Sequence, residues 1–196
     1  MTSIATILNS NSEHAKILDL AGNIGKEMNM PTYVVGGYIR DLLINKKTND
    51  IDIMVEGDAL KFANEFANKL NVDTVVEYAE FSTALIPYSN IEIEIAAARK
   101  ESYPDKSRKP QVQPCSIEED LHRRDFTINA IAASLLKENY GDIYDPIGGI
   151  KDLKKKILIT PLDPDITFKD DPLRILRGIR FCSQLDFDLS SYVKDS

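Results

Sequence analysis

Two carboxylates separated by one residue are the first feature of this sequence that could do chemistry. Asp50 and Asp52 flank Ile51 in the segment NDIDIMVEGDA. Alternate residues of a strand point to the same face, so both carboxylates project together while Ile51 faces the core. Adjacent negative charges repel each other unless a cation lies between them, and Mg²⁺ prefers oxygen ligands. The pair predicts a metal site suited to phosphoryl displacement, in which two cations clamp the attacking and leaving oxygens.

A second alternating segment supplies a candidate third carboxylate. In IEIEIA, Ile91, Ile93 and Ile95 share one face of a strand, whereas Glu92 and Glu94 point to the other. Glu94 is the predicted third catalytic carboxylate, and Glu92 takes that place if the register of the strand differs. The alternative is that the acidic residues are merely solvated at a strand edge, where Asp-x-Asp pairs are common.

Two glycines precede the carboxylate pair and favour an anion-binding turn. Gly36 and Gly37 lie between an apolar strand and a short amphipathic helix in VVGGYIRDLL. The backbone N–H groups at such a helix start point at an anion, and Arg40, one turn further on, can bind a phosphate through two hydrogen bonds. A phosphate cradle beside a metal-binding carboxylate pair is the arrangement that nucleotidyl transfer requires.

The elements that must position these residues alternate without internal repeats. Apolar spacing predicts a helix over 12–29 with Ser12 as its cap, a strand over 32–35 and a helix ending near 45. The remaining predictions, in chain order, are a strand over 50–55, a helix over 59–70, strands over 73–78, 83–87 and 91–96, a long loop over 99–117, a helix over 127–136, a strand, turn, helix and strand within 142–159, and an arginine-bearing helix from 170. This order indicates an α+β domain followed by the start of an all-α unit.

Composition limits the class of protein. The chain has 196 residues, of which 43% are hydrophobic, and a net charge of −7, so RNA binding would depend on the basic segments 99–110 and 174–180 rather than on overall charge. The alternative is that both segments are solvated faces. The sequence contains neither an apolar run long enough to span a bilayer nor signal-peptide features. Cys115 and Cys182 are the two cysteines, which fits a reducing cytosol and predicts a cytoplasmic protein.

Four motifs in order resemble one family. GGYIRD with NDIDIMVEGDA, RRDFTINAIA, YDPIGGIKDLKKKILI and DDPLRILRGIRF resemble class II of the polymerase-β-like nucleotidyltransferases, the family of the bacterial tRNA nucleotidyltransferases (CCA-adding enzymes) and poly(A) polymerases. The resemblance covers roughly residues 30–187. It implies a head domain with a mixed sheet flanked by helices over 1–160, and the beginning of a helical neck domain over 161–196.

The resemblance also implies roles for individual residues. Asp50, Asp52 and Glu94 would be catalytic, with Mg²⁺ held by Asp50 and Asp52 and with ATP and CTP as substrates. Many members of the family have Asp where Glu94 aligns. Asp125 could otherwise be a simple helix cap. The residues implied in nucleotide binding are Gly36, Gly37, Arg40, Arg124, Asp125, Asn129, Asp171, Arg174, Arg177 and Arg180.

Asp171 and Arg174 suit the recognition of a nucleobase. Three residues apart, they are predicted to be neighbours on one helix face, and a carboxylate accepts hydrogen bonds whereas a guanidinium donates them. Cytosine and adenine both present an amino donor beside a ring-nitrogen acceptor, whereas uracil and guanine reverse that order. Since an unpaired buried polar group costs about 1–3 kcal/mol, such a pair would admit C and A. The alternative is an ordinary helix start, for which Asp170, Asp171 and Pro172 are well suited.

The predicted function is template-independent addition of C and A to the 3′ end of tRNA. Within the family the alternatives are a poly(A) polymerase or an enzyme that adds only CC or only A. Outside this activity they are a nucleotide-binding unit without catalysis, or a nucleotidyltransferase acting on a small molecule. Family members continue with body and tail domains that hold the acceptor arm of tRNA. The resemblance therefore implies that the grip on RNA comes from domains absent from this chain.

Overall fold

The computed structural model describes residues 3–102 and 111–196. Within these residues the helices are α1 (Ala5–Leu8), α2 (Ser12–Glu27), α3 (Gly37–Leu43), α4 (Ala59–Leu70), α5 (Ile117–His122), α6 (Gly149–Lys155), α7 (Pro164–Asp170), α8 (Leu173–Leu185) and α9 (Ser191–Lys194). In the same part of the chain the strands are β1 (Thr32–Val35), β2 (Asp50–Val55), β3 (Val76–Tyr78), β4 (Thr83–Tyr88), β5 (Ile91–Ala97), β6 (Arg99–Ser102), β7 (Gln111–Pro114), β8 (Ala132–Ser134), β9 (Ile143–Tyr144), β10 (Ile157–Leu158) and β11 (Asp188–Leu189). No helix of the described part combines the length and apolar character that crossing a bilayer requires.

A mixed sheet forms the centre of the fold. Its order is β3-β4-β5-β2-β1-β8-β9, which makes seven strands among the described residues. β2 pairs in parallel with β5, whereas its other neighbour, β1, is antiparallel. Two small sheets pair β6 with β7 and β10 with β11. The mixed sheet with flanking helices confirms the predicted α+β class.

The two faces of the central strands differ as their alternation predicts. Ile51 and Ile53 of β2, with Ile93 and Ile95 of β5, are almost completely buried in one core shared with α2 and α4. Each such side chain contributes about 1.5–3 kcal/mol relative to an exposed one. A slip of one residue would turn this apolar set toward water. Core packing therefore fixes the register that turns the acidic residues of both strands outward.

The segment after residue 160 packs on the part before it. Phe126 and Leu158 share a buried cluster with Phe181 of α8 and Phe187. β10 also pairs in parallel with β11. This cluster anchors α8 beside the central sheet. The division into a head over 1–160 and a neck from 161 stays a prediction, since the cluster draws on residues from both sides of that boundary.

The predicted helix over 127–136 is wrong. A 3₁₀ turn over Thr127–Asn129 leads into β8 instead. β8 lies between β1 and β9 and is buried along its length. A short apolar run fits a buried helix or a buried strand equally well, and here the pairing with β1 decides between them. The carbonyl of Ile131 also accepts a hydrogen bond from Gly36 N at 2.9 Å, which ties β8 to the turn after β1.

The predicted long loop over 99–117 is also wrong in part. Its two ends form an antiparallel pair, β6 with β7, while residues 103–110 lie outside the described part. The two strands are separated in sequence, and neither RKES of β6 nor QVQP of β7 has the apolar alternation that predicts a strand. α5 follows, begun by a capping box between Ser116 and Glu119. Asn11, rather than the predicted Ser12, caps α2. Its side chain accepts hydrogen bonds from the backbone N–H groups of Glu13 and His14 in the first helical turn.

Candidate active site

The carboxylates of the two parallel strands lie side by side. The register pairs Asp52 with Glu94 and Asp50 with Glu92, so all four point to the face opposite the isoleucine core. Asp52 is partly buried, whereas the other three are exposed. From the sequence alternation alone, either Glu94 or Glu92 could be the third catalytic carboxylate. The register places Glu94 beside the carboxylate that lies deepest in the site.

Asp52 has an environment that disfavours its charge. Burial raises the pKa of Asp52 to about 6, the charge of Glu94 adds to this rise, and Arg124 and Arg40 oppose it. Negative charge at this point is therefore incompletely compensated by the protein. Among the described residues no group of three or more His, Cys, Asp and Glu side chains could by itself hold a metal ion. The donors still fit Mg²⁺, which is commonly bound through one or two carboxylates together with substrate phosphates.

The glycine turn after β1 lies against Asp52. Gly36 has a φ of 66°, which an L side chain adopts only with strain. A Cβ atom on Gly36 would lie 2.8 Å from Arg124 Nη1 and 3.6 Å from Asp52 Oδ2. A Cβ atom on Gly37 would lie 3.8 Å from the same carboxylate oxygen. The missing side chains thus allow the backbone to lie close to both a carboxylate and a guanidinium.

A hydrogen-bonded chain joins four of the predicted nucleotide-binding residues. Arg40 Nη1 donates to Asn129 Oδ1 at 2.6 Å, and Asn129 Nδ2 donates to Asp125 Oδ1 at 3.1 Å. Arg177 Nε donates to the other oxygen of Asp125 at 2.7 Å. Arg40 Nε is bound to Asp41 Oδ1 at 2.8 Å. Two nitrogens of the Arg40 guanidinium thus already have protein partners, and Nη2 is the one that lies toward Gly37.

Asp120 holds two arginines at the site, although it was not among the predicted site residues. Its carboxylate is completely buried and accepts hydrogen bonds from Arg123 Nη2 at 2.6 Å and Arg124 Nε at 3.2 Å. It also accepts one from the backbone N–H of Arg99 at 3.2 Å. A signal was present in EEDLHRR, because an acid three and four residues before two arginines is correctly spaced on a helix.

Phe181 is a second residue of the site that was not among the predicted ones. Three guanidinium carbons, those of Arg40, Arg177 and Arg180, lie 5.2, 5.4 and 5.3 Å from its ring centroid. The ring itself is buried and meets Phe126 edge-on. Cations attract the face of an aromatic ring within about 6 Å. Phe181 therefore groups arginines from α3 and α8, although no sequence motif indicates this.

The prediction that Asp171 and Arg174 lie on one helix is wrong. Arg174 lies on α8, whereas Asp171 lies in the link between α7 and α8. Its Oδ1 accepts a hydrogen bond from Leu173 N at 3.0 Å, and Arg174 N donates to its carbonyl at 3.1 Å. Pro172 follows it directly, and a residue before proline is pushed into extended conformation. Asp171 thus ends α7, and its side chain accepts a hydrogen bond from the first residue of α8 while its carbonyl accepts one from Arg174.

One cavity of about 770 Å³ connects these groups, which is a usual size for a small-molecule site. It contains Asp52 and, apart from Gly36, all of the predicted nucleotide-binding residues. Asp50 and Glu94 do not contribute to its wall. The lining residues are Gly37, Arg40, Asp52, Phe81, Arg99, Arg123, Arg124, Asp125, Asn129, Asp170, Asp171, Pro172, Leu173, Arg174, Arg177, Arg180 and Phe181.

The fold and this cavity define a nucleotidyltransferase head: a mixed sheet with paired carboxylates on β2 and a glycine turn after β1. Residues 32–159 match the family described as Poly A polymerase head domain, and the chain belongs to that family. The predicted resemblance is thereby confirmed.

Known relatives in this family act on tRNA. The chain is 46% identical over 158 residues to the A-adding tRNA nucleotidyltransferase of Aquifex aeolicus, covering 81% of this chain and 19% of the relative. It is 37% identical over 166 residues to the CCA-adding enzyme of Anoxybacillus flavithermus, covering 84% of this chain and 40% of that enzyme.

Solved structures give the same result. The Thermotoga maritima CCA-adding enzyme complexed with tRNA matches with a TM-score of 0.83 and 37% identity, over 99% of this chain and 44% of that chain. A tRNA nucleotidyltransferase complexed with a primer tRNA and an incoming ATP analog matches with a TM-score of 0.76 and 41% identity, over 89% of this chain and 48% of that one. The chain spans less than half the length of these relatives.

Proposed function

We propose that this chain is the catalytic head of a template-independent RNA nucleotidyltransferase that adds C and A from CTP and ATP to the 3′ end of tRNA. The observation that carries this proposal is the single cavity, which contains both the partly buried Asp52 and the Asp171–Arg174 pair. A phosphate-processing end and a base-recognising end thus share one space of nucleotide size.

The nucleotide is proposed to lie along this cavity with its triphosphate at the glycine turn. Gly37, Arg124 and Arg40 Nη2 supply hydrogen-bond donors and positive charge near Asp52. The base would reach Asp171 and Arg174 at the other end. The 3′-hydroxyl of the RNA then attacks the α-phosphate, forming one P–O bond as the bond to pyrophosphate breaks in line with it.

Asp50 and Asp52, with Glu94 beside Asp52, are the residues proposed to hold Mg²⁺. When bound, Mg²⁺ supplies the positive charge that phosphoryl displacement requires on its attacking and leaving oxygens. The raised pKa of Asp52 and the neighbouring Glu94 support this assignment. A cation is bound most favourably where neighbouring negative charges are not balanced by positive ones.

A narrower activity, addition of A alone, is the second candidate. Three of the curated relatives, at 46%, 37% and 37% identity, are A-adding tRNA nucleotidyltransferases. A poly(A) polymerase remains the further alternative within the family. The head and neck boundary near residue 160, the cytoplasmic location and the tRNA grip from domains outside this chain belong to the same proposal.

Nucleotide binding in the presence of Mg²⁺ tests the proposal. Calorimetric titrations of CTP, ATP, UTP and GTP would compare the unchanged chain with Asp171→Ala, using the exposed α7 residue in Asp165→Ala as the matched control. We expect CTP and ATP to bind similarly, UTP and GTP to bind roughly tenfold or more weakly, and only Asp171→Ala to lose this discrimination. Binding of ATP alone would favour A addition or poly(A) synthesis. Equal binding of all four nucleotides would contradict base selection.

A further inference from the structure

Four of the residues assigned to the nucleotide, Gly36, Gly37, Arg40 and Asn129, lie on the β1 side of the catalytic strand β2. In the sheet order β4-β5-β2-β1-β8, the glycine turn follows β1 and Asn129 lies in the 3₁₀ turn before β8. α3 continues from that turn, and Arg40 on it bonds to Asn129. Arg177 of α8 is bound to Asp125 in the same region. The proposed triphosphate site at the glycine turn therefore lies on the β1 side of Asp52.

The opposite flank is where the attacking group must arrive. In an in-line displacement the nucleophile and the leaving group lie on opposite sides of the phosphorus atom. With the triphosphate on the β1 flank, the RNA 3′-hydroxyl approaches across β5 and β4. Glu94 lies on this flank, opposite Asp52 in the β2–β5 register and opposite Leu85 in the β4–β5 register.

Phe81 presents an aromatic ring on that flank. It ends the 3₁₀ turn over Ala79–Phe81, and Ser82 separates it from β4. It lines the same cavity as Asp52, yet 36% of its surface stays exposed. A large apolar ring left partly open to a cavity rich in arginine is an unusual use of phenylalanine, since phenylalanine is among the residue types most often buried.

Arg99 supports the Phe81 ring. Its guanidinium carbon lies 5.9 Å from the ring centroid. Arg99 Nη1 also donates to the Phe81 carbonyl and to Thr83 Oγ1, the latter at 3.3 Å. An aromatic ring beside a guanidinium is the pairing with which proteins bind single-stranded nucleic acid, because the ring stacks on a base and the charge attracts phosphate.

We propose that Phe81 and Arg99 form a stacking platform for the terminal base of the RNA 3′ end. The platform rests on the proposed function, and it binds the acceptor strand rather than the incoming nucleotide. Stacking on a π-face is tolerant of sequence, which suits a strand whose last base changes with each addition. Loss of the ring should weaken RNA binding by roughly 10- to 100-fold while leaving ATP binding unchanged.

Fluorescence of a short single-stranded RNA ending in 2-aminopurine tests this platform, because stacking quenches that base. The unchanged chain, with Mg²⁺ and an ATP analogue that cannot be transferred, should quench the fluorescence, Phe81→Leu should not, and Phe81→Trp should restore it. Tyr78→Leu is the matched control, since Tyr78 is an exposed aromatic residue on β3 outside the cavity lining. Equal quenching by Phe81→Leu, or no quenching by the unchanged chain, would overturn the platform.

Calorimetry with ATP in the same samples separates this proposal from the proposed function. An unchanged affinity of Phe81→Leu for ATP shows that the variant is folded and that the nucleotide site is intact. If the unchanged chain fails to bind ATP, the proposed function itself is overturned, and the platform with it. If ATP binds normally while the quenching result is negative, the platform alone is overturned.

Discussion

Arg177 Nε donates to Asp125 Oδ2 across 2.7 Å, which joins α8 to the segment before the 3₁₀ turn over Thr127–Asn129. The carboxylate is buried, with 7% of its side chain exposed, whereas the arginine side chain is 47% exposed. The same carboxylate accepts from the backbone N–H of Phe126 and from Asn129. The ion pair thus fixes the helix that carries Arg174 relative to Asn129 and Arg40.

Removing the charge of Asp125 should loosen this attachment. We expect Asp125→Asn to lower the free energy of unfolding by about 1–3 kcal/mol, since a buried charge-assisted hydrogen bond is lost, and to weaken ATP binding. Urea unfolding and calorimetry measure the two effects. Asp186→Asn is the control because its side chain is almost fully exposed. If Asp125→Asn binds ATP as tightly as the unchanged chain, α8 does not depend on this contact.

Asp120 should be among the most sensitive positions of the chain. Its buried carboxylate faces two guanidinium groups, so Asp120→Ala should cost about 3–5 kcal/mol, as expected when one partner of a buried ion pair is removed. Denaturant unfolding measures this cost. In a double-mutant cycle with Arg124→Lys, a coupling above about 0.5 kcal/mol would indicate that Asp120 positions Arg124. Strict additivity would contradict that role.

Gly36 and Gly148 offer a matched pair of substitutions to alanine. Both have positive φ, 66° and 87°, so both should lose about 1–3 kcal/mol of stability from backbone strain. Among the described residues, the new methyl group at Gly36 would meet Arg124 Nη1 at 2.8 Å, whereas no atom lies within 4 Å of the one at Gly148. We therefore expect Gly36→Ala alone to weaken ATP binding in calorimetry. If both variants lose the same ATP affinity, the close approach of Gly36 to Arg124 does not matter for nucleotide binding.

Asp52 should make the metal-free chain less stable at neutral pH than in weak acid. Burial, followed by the charge of Glu94, raises its pKa from 3.8 to about 6. Between these two values the folded state binds more protons than the unfolded state, so stability falls as pH rises toward 6. Asp52→Asn should remove this dependence and raise the free energy of unfolding by up to about 3 kcal/mol near pH 7.5.

Urea unfolding near pH 5 and near pH 7.5, without divalent cations, measures this difference, with the exposed Asp73→Asn as control. Adding Mg²⁺ should raise the free energy of unfolding of the unchanged chain at the higher pH, and it should raise that of Asp52→Asn by less. If Asp52→Asn is less stable than the unchanged chain at neutral pH, the ionised Asp52 carboxylate does not destabilise the folded state.

The sequence by itself determined the local chemistry of this protein. Alternation in β2 and β5 turned Asp50 and Asp52 to one face because their isoleucine neighbours need a core. The glycine pair and the spacing of the arginines on α8 could likewise be interpreted from neighbouring residues. Such features depend on contacts within a few residues, and the family resemblance extended them to the proposed nucleotide site.

Only the tertiary structure decided what depends on distant partners. The β2–β5 register placed Glu94, rather than Glu92, beside Asp52. Pairing with β1 turned the predicted helix over 127–136 into β8, since a short apolar run has no period of its own to choose between helix and strand. Phe81 and Asp120 gained their significance from the cavity and the guanidinium groups around them. A sequence pattern carries local periodicity, whereas burial and charge in the site arise from segments that meet only when the chain is folded.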